Sequence, residues 1–473
     1  MENKVINISK KTFINVLIIL FSLIAVAIAF TYLIPQGEFA TINSNDGSVS
    51  IDYSKFSYIE GGKGINIFKG IFSPLLVLGS SDGLTIIMLA LFLLVISGSF
   101  QIINDVNGIK ALVRVLINKV KNHKKTLIAL VTLVFMMFGA FLGLFEEVLT
   151  LLPLIIILTV SLGYDSFTGF LICIVATGFG FASAITNPFT VIAASDIIGI
   201  SPLNGVWFRL IIFAIMYGFI LLYVFHHIRR IEKKPESSPT YELDSQKRSQ
   251  INNEEEIKNE RKVFNAALIY FTTFLGAIII STSIEAIRGY TVVILIVLLL
   301  IGGFVVGKIL EKDFKKILKS FASGVVSALP AIALVLLASS IKYILEEGNI
   351  IATIAYSISQ MIEGRNIYMV AIMLYLIIIV LEFFISSSTA KAIIVMGILS
   401  YINIELSKES LVLIYLFGDG YTNVFFPTSP VLLIGLSMIG MNYTSWIKRS
   451  FLLFIINTVI VIGLICLAVL IGY

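Results

Sequence analysis

Apolar residues fill this chain in long runs, and polar residues gather in short segments between them. A run of about 18 or more apolar residues with few charges predicts a helix that spans a bilayer. Residues 13–34 form the first such run. It is longer than a signal-peptide core and has no small-residue cleavage site, so it reads as a span. Lys4, Lys10 and Lys11 precede it, which predicts a cytoplasmic N-terminus from the excess of basic residues on that side. The next loop, residues 35–82, sets Glu38, Asp46, Asp52, Glu60 and Asp82 against Lys55, Lys63 and Lys69, a balance that suits the outside. A second span over about residues 84–103 returns to a basic segment with Lys110, Arg114, Lys119, Lys121, Lys124 and Lys125. Within that segment residues 108–120 are apolar on one side and basic on the other, the pattern of a helix lying in the interface.

Residues 126–163 are one apolar stretch, interrupted at Gly139-Ala-Phe-Leu-Gly143 and Leu144-Phe-Glu-Glu147. Two full spans meeting in a tight external turn would fit, and so would a re-entrant hairpin; the missing linker and the adjacent glutamates favour the hairpin. A further span from about residue 167 breaks at Ser183-Ala-Ile-Thr-Asn-Pro188, because proline lacks the amide proton and clashes with the preceding turn. Helix resumes to about residue 198, and residues 206–225 run inward to His226-His-Ile-Arg-Arg230, whose histidines read as interfacial anchors. Residues 231–262 are hydrophilic, rich in Glu, Lys, Asn and Ser, and are expected to form a partly disordered cytoplasmic linker. The chain thus divides into a first half (residues 1–228), a linker (229–262) and a second half (263–473).

The second half holds spans near residues 264–282, 291–306 and 325–345, with an inside basic loop carrying Lys308, Lys312, Lys315, Lys316 and Lys319. An amphipathic stretch, residues 350–362, precedes a second long apolar region, residues 368–402, interrupted at Ser386-Ser-Ser-Thr-Ala-Lys391. A span over residues 411–439 is split between Gly418 and Pro427, and a last span covers about residues 451–471. The two broken spans read alike. The first gives Thr186-Asn-Pro-Phe189, Ile198-Gly-Ile200 and Trp207-Phe-Arg209; the second gives Thr422-Asn-Val-Phe425, Ile439-Gly-Met441 and Trp446-Ile-Lys448. Both follow an interfacial helix and an interrupted apolar region, the mark of a duplicated unit. One odd span, residues 264–282, stands between the two units and inverts the second. Inverted repeats with broken helices meeting near the midplane characterise many secondary transporters. The predicted architecture is therefore an all-α polytopic membrane protein with inverted repeats, two re-entrant hairpins and two broken transmembrane helices.

Composition agrees: 58% of the 473 residues are hydrophobic and 13% charged, with a mean hydropathy of +0.99. A soluble chain of this length could not bury that much apolar surface. The net charge of +5 sits in short segments between spans, so it marks orientation rather than a nucleic-acid partner. Cys173 and Cys466 lie in apolar runs and give neither a disulfide scaffold nor a metal site.

Ile34-Pro-Gln-Gly-Glu-Phe39, Glu146-Glu147, Gly163-Tyr-Asp165, Thr186-Asn-Pro-Phe-Thr190, Phe417-Gly-Asp-Gly-Tyr-Thr-Asn423 and Pro427-Thr-Ser429 together resemble the YfcC family. That family sits with the anaerobic four-carbon-dicarboxylate carriers inside the ion transporter superfamily. The resemblance runs over nearly the whole chain. It implies a homodimer in the inner (plasma) membrane, a scaffold domain and a mobile transport domain, and elevator-like movement. It also implies exchange of basic amino acids, arginine against ornithine. The second tip reads Ser386-Ser-Ser-Thr389 where sodium-coupled dicarboxylate members carry Ser-Asn-Thr, so the resemblance does not carry sodium coupling over.

At a helix break inside a bilayer, freed backbone groups must bind one another, a side chain, an ion or a substrate. Helix amino ends favour carboxylates, and carboxy ends and unwound carbonyls favour cations. Ser183, Thr186 and Asn187 in one break, Asp419, Thr422, Asn423 and Thr428 in the other, and Ser387, Ser388 and Thr389 at the second tip are the candidate substrate-binding residues. The alternative is that they only cap broken helices. Glu146, Glu147, Glu382 and Asp419 are the acids set deepest in apolar sequence, and Lys391 is the one basic group near them. A charge at the bilayer centre costs about 2.5–3.5 kcal/mol on insertion scales, so these groups must pair, take a proton or face water. Glu146, Glu147 and Lys391 are the candidate charge-coupling groups, and an internal salt bridge through Lys391 is the competing reading. No residue set requires a cofactor; a coupling sodium ion or proton is left open, and so is any metal. Histidine is missing at span depth, which disfavours an intramembrane hydrolase. The expected function is secondary transport of a small carboxylate-bearing metabolite, an amino acid before a dicarboxylate, with a channel as the remaining alternative.

Overall fold

A computed structural model describes residues 10–43, 49–120, 123–252, 259–311, 313–362, 364–385, 387–399 and 405–473. Lys4, Asp46, Lys121, Lys312, Ser386 and the end of the second apolar region at residue 402 therefore lie outside the described residues. Among the described residues, nine helices are long and apolar enough to cross a membrane. Their outward faces carry large apolar side chains such as Leu222, Leu452, Val459 and Leu470, which lipid can cover. The protein is a multi-pass, predominantly helical membrane protein.

Two groups of helices pack mainly among themselves. The first contains Lys10–Leu33, Gly83–Asp105, Glu260–Ser283, Thr291–Leu310 and Phe314–Glu347. Hydrophobicity cannot hold helices together in lipid, so small residues and hydroxyls do it. Ser97 Oγ donates to Gly324 O at 2.7 Å and Ser99 Oγ to Leu299 O at 2.6 Å, two crossings sealed by backbone acceptors. The last helix of this group starts eleven residues before the expected span at 325, because Asp313 caps Lys315 N at 3.0 Å. Lys315, Lys316 and Lys319 are therefore helical and not in a loop.

The second group is interrupted. Lys124–Leu142 ends in a wide turn at Gly143 (φ +68°), and the chain returns through Leu152–Ser161, ten residues or about 15 Å long. Ser166–Ala182 and Pro188–Ile198 flank the first break. Ile367–Phe384 and Ser388–Leu399 meet at the second tip, and Lys408–Asp419 and Pro430–Met438 flank the second break. Val206–Lys233 and Tyr443–Leu470 complete the group.

Three features differ from the sequence reading. The loop after the first span contains an antiparallel hairpin, β1 (Gly37–Asn43) and β2 (Val49–Tyr58), so the fold is helical but not without strands. It sits on the interfacial helix Ile351–Ile362, with Phe56 stacked on Tyr356 at 4.2 Å and Thr353 Oγ1 donating to Pro35 O at 2.7 Å. The expected disordered linker contains the helix Tyr241–Asn252, which is docked: Asp244 accepts from Ser166 N at 2.8 Å and Thr240 Oγ1 at 2.6 Å. His227 is no surface anchor. It is 6% exposed and its Nε2 lies 2.9 Å from Asp165 Oδ2.

Candidate substrate-binding site

Two tips and two breaks meet in one place. Asn187, the last residue before Pro188, caps the helix that resumes there: its Oδ1 accepts from Phe189 N at 2.9 Å. Its Nδ2 donates to Gly139 O at 3.0 Å, and Ile185 N reaches Ala140 O at 2.8 Å, so the first tip is stitched to the first break. Thr186 Oγ1 donates to Phe141 O at 3.2 Å and Ser183 Oγ to Phe179 O at 2.7 Å. The second tip touches the same segment through Thr389 Oγ1 and Phe189 O at 3.5 Å. The two breaks lie against each other at Gly420, where a Cβ would stand 2.1 Å from Ala182 Cα; only glycine fits.

In the second break Asn423 Nδ2 donates to Asp419 O at 2.9 Å, and Thr422 Oγ1 to Gly418 O at 3.1 Å. Asn423 Oδ1 has no partner among the described residues. Thr428 is buried beside the break and Ser387 is half-buried at the tip. The equivalent asparagines are thus not equivalent in structure. Asn187 uses both ends of its amide on the protein, and Asn423 keeps an acceptor free.

Charge concentrates here. The fully buried Lys391 pairs with Glu382 and with Asp419, whose Oδ1 lies 2.7 Å from the ammonium. Ser388 Oγ donates to Asp419 Oδ2 at 2.9 Å, and Tyr415 OH donates to Ser388 O. The competing salt bridge foreseen for Lys391 exists, and it engages two acids at once. Glu146 and Glu147 have no ion-pair partner among the described residues; Glu146 is exposed, Glu147 half-exposed, and Glu146 stands within Coulombic range of Asp419. Two carboxylates therefore share the ammonium, and two further carboxyl groups stand nearby without an ion-pair partner among the described residues.

The sequence reading missed Tyr415 and named Glu382 among the deep acids without giving it a place in the site. Tyr415 lies four residues before Asp419 on the same helix, a spacing that places both on one face. Nothing in the sequence shows that Glu382, on the ascending arm of the tip, reaches Lys391.

Such convergence of helix ends and charges inside a bundle of spans is the construction of a polytopic membrane carrier. Residues 13–470 match the family described as "DcuC: C4-dicarboxylate anaerobic carrier", and the chain belongs to that family. A relative from Escherichia coli (strain K12), named "Putative basic amino acid antiporter YfcC", is 29% identical over 426 residues, 86% of this chain and 81% of its own. Among solved structures, the YdaH transporter of Alcanivorax borkumensis is similar at a TM-score of 0.44 and 14% identity over 98% of each chain. MtrF of Neisseria gonorrhoeae is similar at 0.47 and 13%, over 95% of this chain and 94% of its own. The protein is a membrane transporter.

Proposed function

We propose that the protein is a secondary active antiporter of amino acids, cationic ones first, working by elevator-like alternating access in the inner membrane as a homodimer with a cytoplasmic N-terminus. The observation that carries the substrate class is the surplus of acidic groups: Lys391 is taken by Glu382 and Asp419, and Glu146 and Glu147 have no ion-pair partner among the described residues. A cationic side chain or α-amine would supply it. The amino ends at Phe189 and Leu432, capped by Asn187 and Ser429, suit the substrate carboxylate. Asn423, with its free acceptor, binds the amine; Ser183, Thr186, Thr422, Thr428, Ser387, Ser388 and Thr389 line the site.

The short return arm Leu152–Ser161, about 15 Å where the hydrocarbon core is about 30 Å, supports a re-entrant first hairpin. The separate packing of the two helix groups supports a scaffold and a moving transport domain, and the paired breaks support two inverted halves.

A second reading has support from the family description: a four-carbon dicarboxylate carrier, in which sodium ions or protons would neutralise the acids. Counterflow in proteoliposomes decides between them, using labelled arginine, ornithine, lysine, neutral amino acids, succinate and fumarate. Exchange of basic amino acids is the expected result. Saturable succinate counterflow with no response to any amino acid sinks the proposal, and labelled substrate leaking without counter-substrate would indicate a channel.

A further inference from the structure

The surroundings of Lys391 offer the kinds of oxygen that an alkali cation takes at a broken-helix site. Such sites offer carboxylates together with carbonyls freed at helix carboxy ends. Lys391 Nζ meets the carboxylate of Glu382, the carboxylate of Asp419 at 2.7 Å, and the carbonyl of Ile385 at 3.2 Å. Ile385 is the residue at which Ile367–Phe384 ends, so its carbonyl lies at the negative pole of that helix. An ammonium has three donors and no acceptor, and three oxygens face it here. Lys391 is 0% exposed, Glu382 2% and Asp419 0%, so water supplies none of this balance. The groups come from both arms of the second tip and from the second break, the elements that must stay together if the tip is to move as a unit. Ser388 Oγ, 2.9 Å from Asp419 Oδ2, and Tyr415, bonded to Ser388 O, hold the carboxylate and the tip in register.

We propose that Lys391 is a tethered cation that takes the place of a coupling alkali ion. Its ammonium stays with the two carboxylates through the cycle, and exchange proceeds without carrying sodium. A sodium ion must be bound and released on each passage; a lysine on the tip travels with it and keeps the site's charge constant. The remaining acids, Glu146 and Glu147, are then free to answer to the substrate. This inference rests on the exchange reading for its transport consequence only, since ion binding can be read without any substrate.

The test melts the purified full-length chain while sodium chloride replaces choline chloride at constant ionic strength. The unmodified protein is expected to show no shift. Lys391→Ala, which bares two carboxylates and a carbonyl, is expected to gain a saturable, sodium-specific rise in melting temperature. If Lys391→Ala folds only when prepared in sodium, the proposal is equally supported. If it folds in neither salt, Lys391→Met combined with Glu382→Gln removes one charge of each sign and leaves Asp419 and the Ile385 carbonyl. A sodium response in that variant supports the proposal, and none overturns it. A saturable sodium shift in the unmodified protein overturns it outright, as does exchange by Lys391→Ala in choline at the unmodified rate. Loss of that exchange in choline with partial recovery in sodium is the expected transport result. Failure of the amino-acid panel alongside a sodium response confined to the lysine variants would sink the substrate reading and leave this inference standing.

Discussion

The two asparagines that match in sequence should fail in different ways when truncated. Asn187→Ala removes the buried 3.0 Å bond to Gly139 O and the partly buried 2.9 Å cap on Phe189 N. Each bond contributes about 1 kcal/mol net, and capping substitutions cost about 0.5–2 kcal/mol. Polar contacts between membrane helices average about 0.6 kcal/mol and reach about 1.7. A loss of about 2 kcal/mol follows for Asn187→Ala. In one cooperative transition of this length, that lowers the melting midpoint by about 2 °C, from about 2.1 cal/mol/K of unfolding entropy per residue. Asn423→Ala removes one protein bond, at 2.9 Å, and the free acceptor assigned to the substrate. A hydrogen bond to a charged group is worth about 1.5–3 kcal/mol, so affinity should fall about 10- to 100-fold with little change in midpoint. Scanning fluorimetry of both variants, with and without substrate, separates the two effects. An unshifted midpoint in Asn187→Ala, or unaltered substrate affinity in a well-folded Asn423→Ala, would refute the asymmetry.

Two further outcomes follow from contacts outside the charge cluster. Burial pushes the Asp165 carboxyl up, but bonds from His227, Thr168 and Ser238 outweigh it and hold the group down at about 2 against an ordinary 3.8. A carboxyl held low contributes stability above its unfolded value and loses it as pH falls through the folded one; about 2 kcal/mol should vanish between about pH 4 and pH 2. Melting midpoints across that window should fall more steeply for the unmodified protein than for Asp165→Asn, and parallel profiles would exclude the clasp. Gly420→Ala places a Cβ 2.1 Å from Ala182 Cα and should cost about 1–3 kcal/mol by forcing the broken helices apart; an unchanged midpoint would show that the crossing has slack.

Much of the architecture was legible because lipid makes a local demand. Every span must be apolar along its own length, so hydropathy alone finds Gly83–Asp105 or Thr291–Leu310. Proline and the Thr-Asn pairs mark the breaks for a similarly local reason: Pro188 cannot continue a helix, and Asn187 caps the next one. The hairpin β1–β2 was also written in the chain, since Val49–Tyr58 alternates partly between apolar and polar residues. It went unread because the segment lies in a polar loop.

What the sequence determined by itself is therefore the membrane, the spans, the breaks and the inventory of deep acids against one lysine. Which acids the lysine takes was decided by tertiary structure alone. Glu382, Lys391 and Asp419 come from three helical segments, and only the docking of the second tip on the second break brings their charges within contact. The same holds for the matched tryptophans: Trp446 is 1% exposed with its Nε1 3.0 Å from Val424 O, and Trp207 is 54% exposed. Matched segments share residue types, because each break must satisfy its own backbone. The neighbours of each segment differ, and pairing, burial and free valence belong to the neighbours.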